Sequence, residues 1–153
     1  MEHALCRWRT LKPGATVLQQ GTGGLSIITL QLARAAGLRA IITSSSDEKL
    51  QRARALGADD TIDYRTSPEW HDEVLRLTDG RGVDLIELIR EMRRLSGIFV
   101  GIRVMLEDLI LFLSTTKIHP IIDREYSFSE APLACEYLQS GRHLGKVVIR
   151  VAS

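Results

Sequence analysis

The sequence predicts an α/β protein with a doubly wound parallel sheet, and two observations lead to this fold class. Short β-rich runs alternate along the chain with stretches whose apolar residues recur at helical spacing. A glycine-rich turn, Gly21 to Gly24, separates the first β-rich run from the first helical stretch. Such alternation is typical of parallel sheets, because parallel strands need helical crossovers to join them.

The first half of the chain supplies a strand, a glycine turn, a helix and a strand in the order of a βαβ unit. Thr16–Gln20 is the first predicted strand. A helix is predicted from Leu25 to Ala36, with Gly37 as its stop. Ala40–Thr43 is the second predicted strand.

The alternation then continues with a helix, a strand and another helix. Their predicted bounds are Lys49–Leu56, Thr61–Tyr64 and 67–78. Ser45 and Glu48 have the spacing of a capping box ahead of the first of these helices. Ser67 as N-cap and Pro68 at the first helical position predict the start of the second.

Two elements are predicted near the C-terminus, while one internal stretch stays ambiguous. Ser129 is predicted to cap a helix that runs through Gln139, and Lys146–Val151 is predicted as the last strand. Val83–Glu87 fits a fourth strand if the alternation holds, whereas the apolar residues of 85–95 also fit one face of a helix. Both interpretations remain open from the sequence.

Composition excludes several classes of protein. The chain has 153 residues, 44% of them hydrophobic and 25% charged, which suits one globular domain with a buried core. A net charge of +1 does not favour nucleic acid or a membrane surface as a partner. Cys6 and Cys135 belong to no motif, and the sequence has neither a membrane-spanning apolar run nor a secretion signal. We therefore expect a cytoplasmic protein.

The glycine turn is the strongest functional signal. Gly21, Gly23 and Ser26 occupy the three positions of a G-x-G-x-x-G motif, with serine as a small substitute for the last glycine. The first glycine permits a tight turn, and the second lets a dinucleotide pyrophosphate approach the N-terminus of the helix. The context of a βαβ unit strengthens this interpretation. The alternative is a plain turn that starts a helix and binds nothing.

The end of the second predicted strand bears on the choice of cofactor. An acidic residue there would bind the ribose 2′-hydroxyl of NAD. This sequence has Ser44, Ser45 and Ser46 instead, followed by Lys49. Hydroxyl groups and an ammonium suit a 2′-phosphate, which favours NADP while leaving NAD possible. The alternative is that the serines only cap the next helix.

Residues 11–65 are similar to the cofactor domain of the medium-chain dehydrogenase/reductase superfamily, the zinc-type alcohol dehydrogenases. Residues 97–101 and 121–150 resemble the end of the same domain. The resemblance implies a Rossmann-like sheet and a nicotinamide dinucleotide cofactor. It implies pyrophosphate contacts from the segment Gly21, Thr22, Gly23, Gly24 and Leu25.

The resemblance also implies roles for residues outside the glycine turn. Ser44, Lys49 and Tyr64 would surround the adenosine 2′-phosphate. Ile98 and Val100 would lie on the strand at the nicotinamide, with Lys146 nearby. Relatives pair through the strand near Gly97–Gly101, so a homodimer through that strand is one expectation.

Two departures from the family pattern change what can be expected of this chain. The family's N-terminal catalytic domain, which supplies the zinc ligands and substrate pocket, has no counterpart in residues 1–153, read here as one partial domain. No zinc is therefore expected. Only nine residues separate Glu87 from Gly97, too few for the usual strand and crossover helix. We expect this missing inner unit to expose apolar surface on Val83–Ile86.

These considerations leave a leading hypothesis and alternatives. The leading one is a domain of an alcohol dehydrogenase-like oxidoreductase that binds NADP(H) and catalyses no turnover alone. A separate chain supplying the catalytic half is the enzymatic alternative. A remnant that acts as a dimerising or partner-binding module is the non-enzymatic one. A methyltransferase also has a glycine-rich turn, but the match through residues 140–149 argues against it.

Overall fold

The computed structural model describes residues 11–87 and 103–151. The strands are β1 (Thr16–Gln20), β2 (Arg39–Ser44), β3 (Asp60–Asp63), β4 (Leu85–Glu87), β5 (Ile122–Ser127) and β6 (Lys146–Arg150). The helices are α1 (Gly24–Ala35), α2 (Asp47–Ala55), α3 (Trp70–Leu77), α4 (Arg103–Thr116) and α5 (Ala131–Gln139). A 3₁₀ turn, Phe128–Glu130, precedes α5.

The described strands form a four-stranded sheet and a separate pair. The larger sheet has the order β3-β2-β1-β4, and all its neighbours are parallel. β5 and β6 form a parallel pair. An isolated parallel bridge between Gly23 and Gly145 links the start of α1 to the segment before β6. The predicted α/β class with a parallel sheet is confirmed.

Helices cover both faces of the larger sheet. Val17 of β1 and Ile42 of β2 pack in one apolar cluster with side chains from α1 and α2. Leu18 and Ile41, whose side chains alternate to the other face, pack with Val74 of α3. Because both faces are buried, the two central strands contain consecutive apolar residues, Val17–Leu18 in β1 and Ala40–Ile42 in β2.

The structure corrects three predicted helix starts. α2 is capped by Ser46 rather than Ser45, because the Ser46 Oγ accepts from the backbone N–H of Lys49 at 3.5 Å. α3 begins at Trp70 rather than at Pro68, because Ser67 donates its N–H to the Asp63 carbonyl in a turn.

Ser129 does not cap the C-terminal helix either. The N-cap of the 3₁₀ turn before α5 is Ser127, which forms a capping box with Glu130. The backbone N–H of Ser127 donates to the Glu130 carboxylate at 3.0 Å. Ser129 lies inside this turn, so the N-cap is two residues earlier in the chain than predicted.

The ambiguous stretch forms a strand where the structure describes it. Leu85–Glu87 pairs with Val17–Gln19 of β1, so the strand interpretation holds for these three residues. The remainder of the helical alternative, 88–95, lies outside the described residues. Of the apolar residues in Val83–Ile86, Ile86 is 45% exposed, whereas Val83 and Leu85 are partly buried against the two apolar clusters, so the expected exposure is seen at Ile86.

One described helix has apolar residues on most of its circumference. α4 exposes five large apolar side chains, namely Val104, Leu106, Ile110, Leu111 and Phe112. It is 14 residues long, and no helix in the described ranges has the length and apolarity needed to cross a membrane.

Asp123 on β5 fixes the C-terminal segment against α2. Its carboxylate accepts from Arg52 of α2 at 3.0 Å and from the Tyr137 hydroxyl of α5 at 2.7 Å. Burial raises the pKa of Asp123, but hydrogen bonds from Tyr137, Arg52 and the backbone of Leu144 outweigh that effect and leave the pKa lowered. The charged form is therefore the one that holds these elements together.

Replacing this carboxylate tests its contribution to stability. We expect Asp123→Asn to lower the free energy of unfolding by about 1–3 kcal/mol at neutral pH, because charge-assisted hydrogen bonds are lost. Because the pKa of Asp123 is lower in the folded chain, its ionised carboxylate contributes its full stability above the unfolded pKa of about 4. This stability is lost as the pH falls through the folded pKa. Urea denaturation from pH 7 downwards should show the difference between wild type and Asp123→Asn shrinking below about pH 4.

The matched control is Glu125→Gln on the same strand. Glu125 accepts from Arg150 in an exposed ion pair, so its loss should change stability by less than about 0.5 kcal/mol. Equal effects of the two substitutions would show that Asp123 is an ordinary surface charge.

Candidate functional site at the glycine turn

The glycine turn lies where the strand order of the larger sheet reverses. α1 and α2 carry the chain from β1 through β2 to β3, after which α3 crosses the opposite face and returns it to β4, beside β1. The carboxyl end of β1 is therefore the switch point of the sheet. Ligands of open parallel sheets bind in the crevice at this point.

The backbone of the turn has the conformation that the motif predicts. Gly21 has φ +86°, and its N–H donates to the Thr43 carbonyl of β2 at 2.9 Å. Ser26 is fully buried in α1, and its Oγ donates to the Gln20 carbonyl at 3.3 Å. The small third residue thus allows close packing between the helix and β1, as predicted.

The outer side of the turn is open. A Cβ atom placed on Gly21 or on Gly23 would have no heavy atom within 4 Å. Gly23 is the N-cap of α1 and offers no side-chain hydrogen bond, and the first turn of α1 has no acidic residue. The positive end of the helix dipole therefore faces a space suited to an anion.

The C-terminal segment brings a positive charge to the same place. A Cβ atom placed on Gly24 would lie 2.6 Å from Cδ and 2.9 Å from Nζ of Lys146. The Lys146 side chain thus lies against the first residue of α1. In the described ranges no carboxylate forms an ion pair with it. The residues present fit an anionic group such as a pyrophosphate.

The residues predicted to bind a 2′-phosphate are adjacent at the ends of β2 and β3. The Tyr64 N–H donates to the Ser44 carbonyl at 3.1 Å, and the Tyr64 side chain is exposed. Ser44 itself is buried, while Ser45 beside it is half-exposed. Ser44 is buried and Ser46 caps α2, so Ser45 is the serine of this run whose hydroxyl is half-exposed and not used as a cap.

Lys49 lies in the first turn of α2, after the serine run, but its side chain extends to the C-terminal segment. Its Nζ donates to the Gly141 carbonyl, in the turn after α5. Burial lowers the pKa of Lys49 and Arg52 lowers it further, whereas Asp123 raises it. The structure therefore places Lys49 in α2 with its ammonium bound to the C-terminal segment.

Two predicted positions cannot be located. Ile98 and Val100, with the whole strand predicted at Gly97–Gly101, lie outside the described residues. Their predicted contact with nicotinamide and the predicted dimer contact through that strand stay predictions.

Sequence reasoning missed Gly145. It donates its N–H to the Thr22 carbonyl at 3.1 Å and has φ +84°. The signal available in the sequence was a glycine directly before a basic residue at the start of the last predicted strand. Nothing in that pattern shows which distant backbone the glycine meets.

A separate grouping of ligand atoms lies before and at the start of α3. In residues 11–87 and 103–151 it is the one set of three or more His, Cys, Asp or Glu ligand atoms close enough to hold a metal ion, and it consists of Glu69, His71 and Asp72. All three side chains are exposed, and His71 lies 3.4 Å from each carboxylate. Exposed acidic groups commonly lie together without a metal, so this arrangement carries no metal assignment.

Two family models match the chain, and both describe a zinc-binding dehydrogenase. The first covers residues 24–87 and the second covers 87–149. This chain belongs to the zinc-binding dehydrogenase family. It corresponds to the C-terminal, nucleotide-binding half of medium-chain dehydrogenases.

The relatives are oxidoreductases about twice as long. A zinc-type alcohol dehydrogenase-like protein of Schizosaccharomyces pombe is 32% identical over 183 residues, covering 92% of this chain and 53% of that protein. A structure described as an alcohol dehydrogenase of Sinorhizobium meliloti 1021 matches with TM-score 0.84 and 35% identity, covering 97% of this chain and 54% of that one. The chain spans about half the length of these relatives.

A third match is to an oxidoreductase with a known nucleotide complex. The quinone oxidoreductase of Thermus thermophilus, whose complex with NADPH is also solved, matches with TM-score 0.72 and 26% identity. The match covers 98% of this chain and 61% of that one.

The comparisons also support the predicted internal loss. The alignment with the Schizosaccharomyces pombe protein spans 183 residues, whereas 92% of this 153-residue chain is about 141 residues. About 40 positions of the alignment therefore hold a residue of the Schizosaccharomyces pombe protein and a gap in this chain. The two family models meet at Glu87, where the sequence predicts the shortened connection.

Two glycines of the turn should respond differently to alanine. Gly21→Ala should lower the free energy of unfolding by about 1–2 kcal/mol, because φ +86° strains an L-residue. Gly23 has φ −73°, and a Cβ there would meet no atom within 4 Å. Gly23→Ala should therefore change the free energy of unfolding by less than about 0.5 kcal/mol, because the loss of a good N-cap residue is offset by a less flexible unfolded chain. Thermal or urea unfolding followed by circular dichroism measures both, and a more damaging Gly23→Ala would contradict this geometry.

Proposed function

We propose that this chain is the NADP(H)-binding domain of an alcohol dehydrogenase-like oxidoreductase and that it catalyses no turnover alone. The observation that carries the proposal is the meeting of an open glycine turn, an uncapped helix N-terminus and the Lys146 ammonium at one point. Each of the three is complementary to a pyrophosphate, and their coincidence at the switch point of a parallel sheet supports a dinucleotide.

The turn residues have distinct roles in this proposal. Backbone N–H groups from Gly23 onward bind the pyrophosphate oxygens, with Thr22, Gly24 and Leu25 completing the loop around them. Gly21 supplies the reversal that brings this loop out of β1. Lys146 adds the charge, since an ammonium binds phosphate as a point charge.

The preference for NADP over NAD rests on the ends of β2 and β3. No acidic side chain follows β2 in the Ser44–Ser46 run to bind a ribose 2′-hydroxyl. The exposed Tyr64 and half-exposed Ser45 flank this position. Lys49 can join a 2′-phosphate there only by exchanging the Gly141 carbonyl for it, and that exchange limits the gain in affinity.

The bound nicotinamide would supply hydride transfer, which requires a second reactant held against it with water excluded. The proposed contribution of this chain is to bind and orient the cofactor. The substrate side is proposed to come from the remaining half of a protein of the length that its relatives have, either on the same polypeptide or on another.

A second candidate function is a dimerising or partner-binding module. The five exposed apolar side chains of α4 favour it, since exposed apolar patches often mark contact surfaces. The nucleotide titration described next separates the two candidates.

Titration of the purified chain with NADPH and with NADH, followed by nucleotide fluorescence, tests the proposal. We expect saturable binding with NADPH preferred. Lys49→Ala should weaken NADPH binding about tenfold and leave NADH binding nearly unchanged, because only NADPH carries the 2′-phosphate. Gly23→Ala should abolish binding of both nucleotides, because its methyl group occupies the space that the pyrophosphate enters.

Lys12→Ala is the matched control for charge. Lys12 is exposed and lies before β1, at the opposite end of the sheet from the glycine turn, so its loss should not alter either affinity. A folded chain that binds neither nucleotide would contradict the proposal and favour the second candidate.

A further inference from the structure

We infer that Gly145 is a positioning residue that holds the Lys146 ammonium over the pyrophosphate site. The inference rests on the proposed function and deepens it by naming what sets the place of the charge. Gly145 is not itself proposed to touch the cofactor.

Gly145 lies at a point where the backbone admits no other residue without displacement. It is buried and has φ +84°, a conformation that strains any L-residue. A Cβ atom placed on it would lie 2.5 Å from the carbonyl oxygen of Ile121 and 3.2 Å from the Ile121 Cβ. The oxygen is a backbone atom and cannot swing aside, so a side chain at 145 must move one segment away from the other.

Two hydrogen bonds fix the segment on either side of this close contact. The Gly145 N–H donates to the Thr22 carbonyl of the glycine turn at 3.1 Å. The Lys146 N–H donates to the Ile121 carbonyl at 2.8 Å. β6 therefore starts directly at the glycine turn, and its first side chain is that of Lys146.

The outcome is an ammonium set against the start of a helix. A Cβ on Gly24 would lie 2.6 Å from the Lys146 Cδ, so Gly24 makes room for this side chain, while Gly145 makes room for the Ile121 carbonyl. In the described ranges Lys146 has no carboxylate partner, and the first turn of α1 has no acidic residue. Two like charges, the ammonium and the helix dipole, thus converge where an anion would neutralise both.

The salt dependence of NADPH binding distinguishes positioning from general damage. Lys146→Met should weaken binding about tenfold at low salt and reduce the loss of affinity on adding sodium chloride, because one screened attraction is gone. We expect Gly145→Ala to reproduce both effects, since it displaces the ammonium. The double variant should bind no more weakly than either single one, as residues acting through one contact are not additive.

Gly80→Ala is the matched control for backbone strain. Gly80 has φ +76° with no atom within 4 Å of a Cβ, so the substitution has a similar conformational cost away from the site. It should lower stability and leave the affinity and salt dependence for NADPH as in wild type.

The possible results separate this inference from the proposed function. No NADPH binding by the wild-type chain overturns both. Wild-type binding together with a Gly145→Ala variant that keeps normal salt dependence, or whose effect adds to that of Lys146→Met, overturns the inference alone. Should Gly145→Ala fail to fold, Lys146→Met decides, because unchanged affinity and salt dependence there would mean that the positioned ammonium does not reach the cofactor.

Discussion

The structure depends on the contact between the glycine turn and the segment that begins β6. The larger sheet and the β5–β6 pair share no strand in the described ranges, and the bridge from Gly23 to Gly145 joins them at the turn itself. The hydrogen bond from Gly145 to Thr22 closes this junction. Asp123 provides a second attachment through Arg52, nearer the far end of α2. Together with the burial of Leu144 in the apolar cluster of β1 and β2, these contacts hold the C-terminal residues against the candidate site.

The same junction sets the electrostatics of the site. Lys146 and the N-terminus of α1 are both positive, and neither has a charged partner in the part of the chain that the structure describes. A bound anion would stabilise both positive groups, which is the basis of the proposed site. Lys49, by contrast, already has the Gly141 carbonyl as an acceptor. In the proposed NADP(H) complex, Lys146 and the start of α1 would be free to bind the pyrophosphate, whereas Lys49 would first have to give up the Gly141 carbonyl to reach the 2′-phosphate.

Much of the first half was predictable because its signals are local. β1, β2 and β3 lie within one residue of their predicted bounds, since glycines and short apolar runs mark their ends. The cap of α2 was missed by one residue because Ser45 and Ser46 are chemically alike, and only the backbone decides between them. α4 and β5 were not predicted. α4 is apolar on nearly all sides, so its sequence has no amphipathic pattern that would predict a helix. β5 (IDREYS) contains three charged residues in succession, which is more typical of a loop than of a strand.

In the candidate site, too, the local features were predictable and the long-range contacts were not. The glycine turn follows from neighbouring residues, and the sequence identified it. Gly145 meets Thr22 more than 120 positions away, and Lys49 meets Gly141 at a separation of 92 residues. Contacts of this kind depend on how the segments pack and leave no periodic or motif signal.

Hydrogen exchange of the chain with and without NADPH, read by mass spectrometry, tests the central claim most directly. The account predicts added protection in two segments, the glycine turn with the start of α1 (21–27) and the start of β6 (143–147). Both should change together because they share one junction. Protection confined to other segments, or none at saturating NADPH, would contradict the claim that these residues form the dinucleotide site.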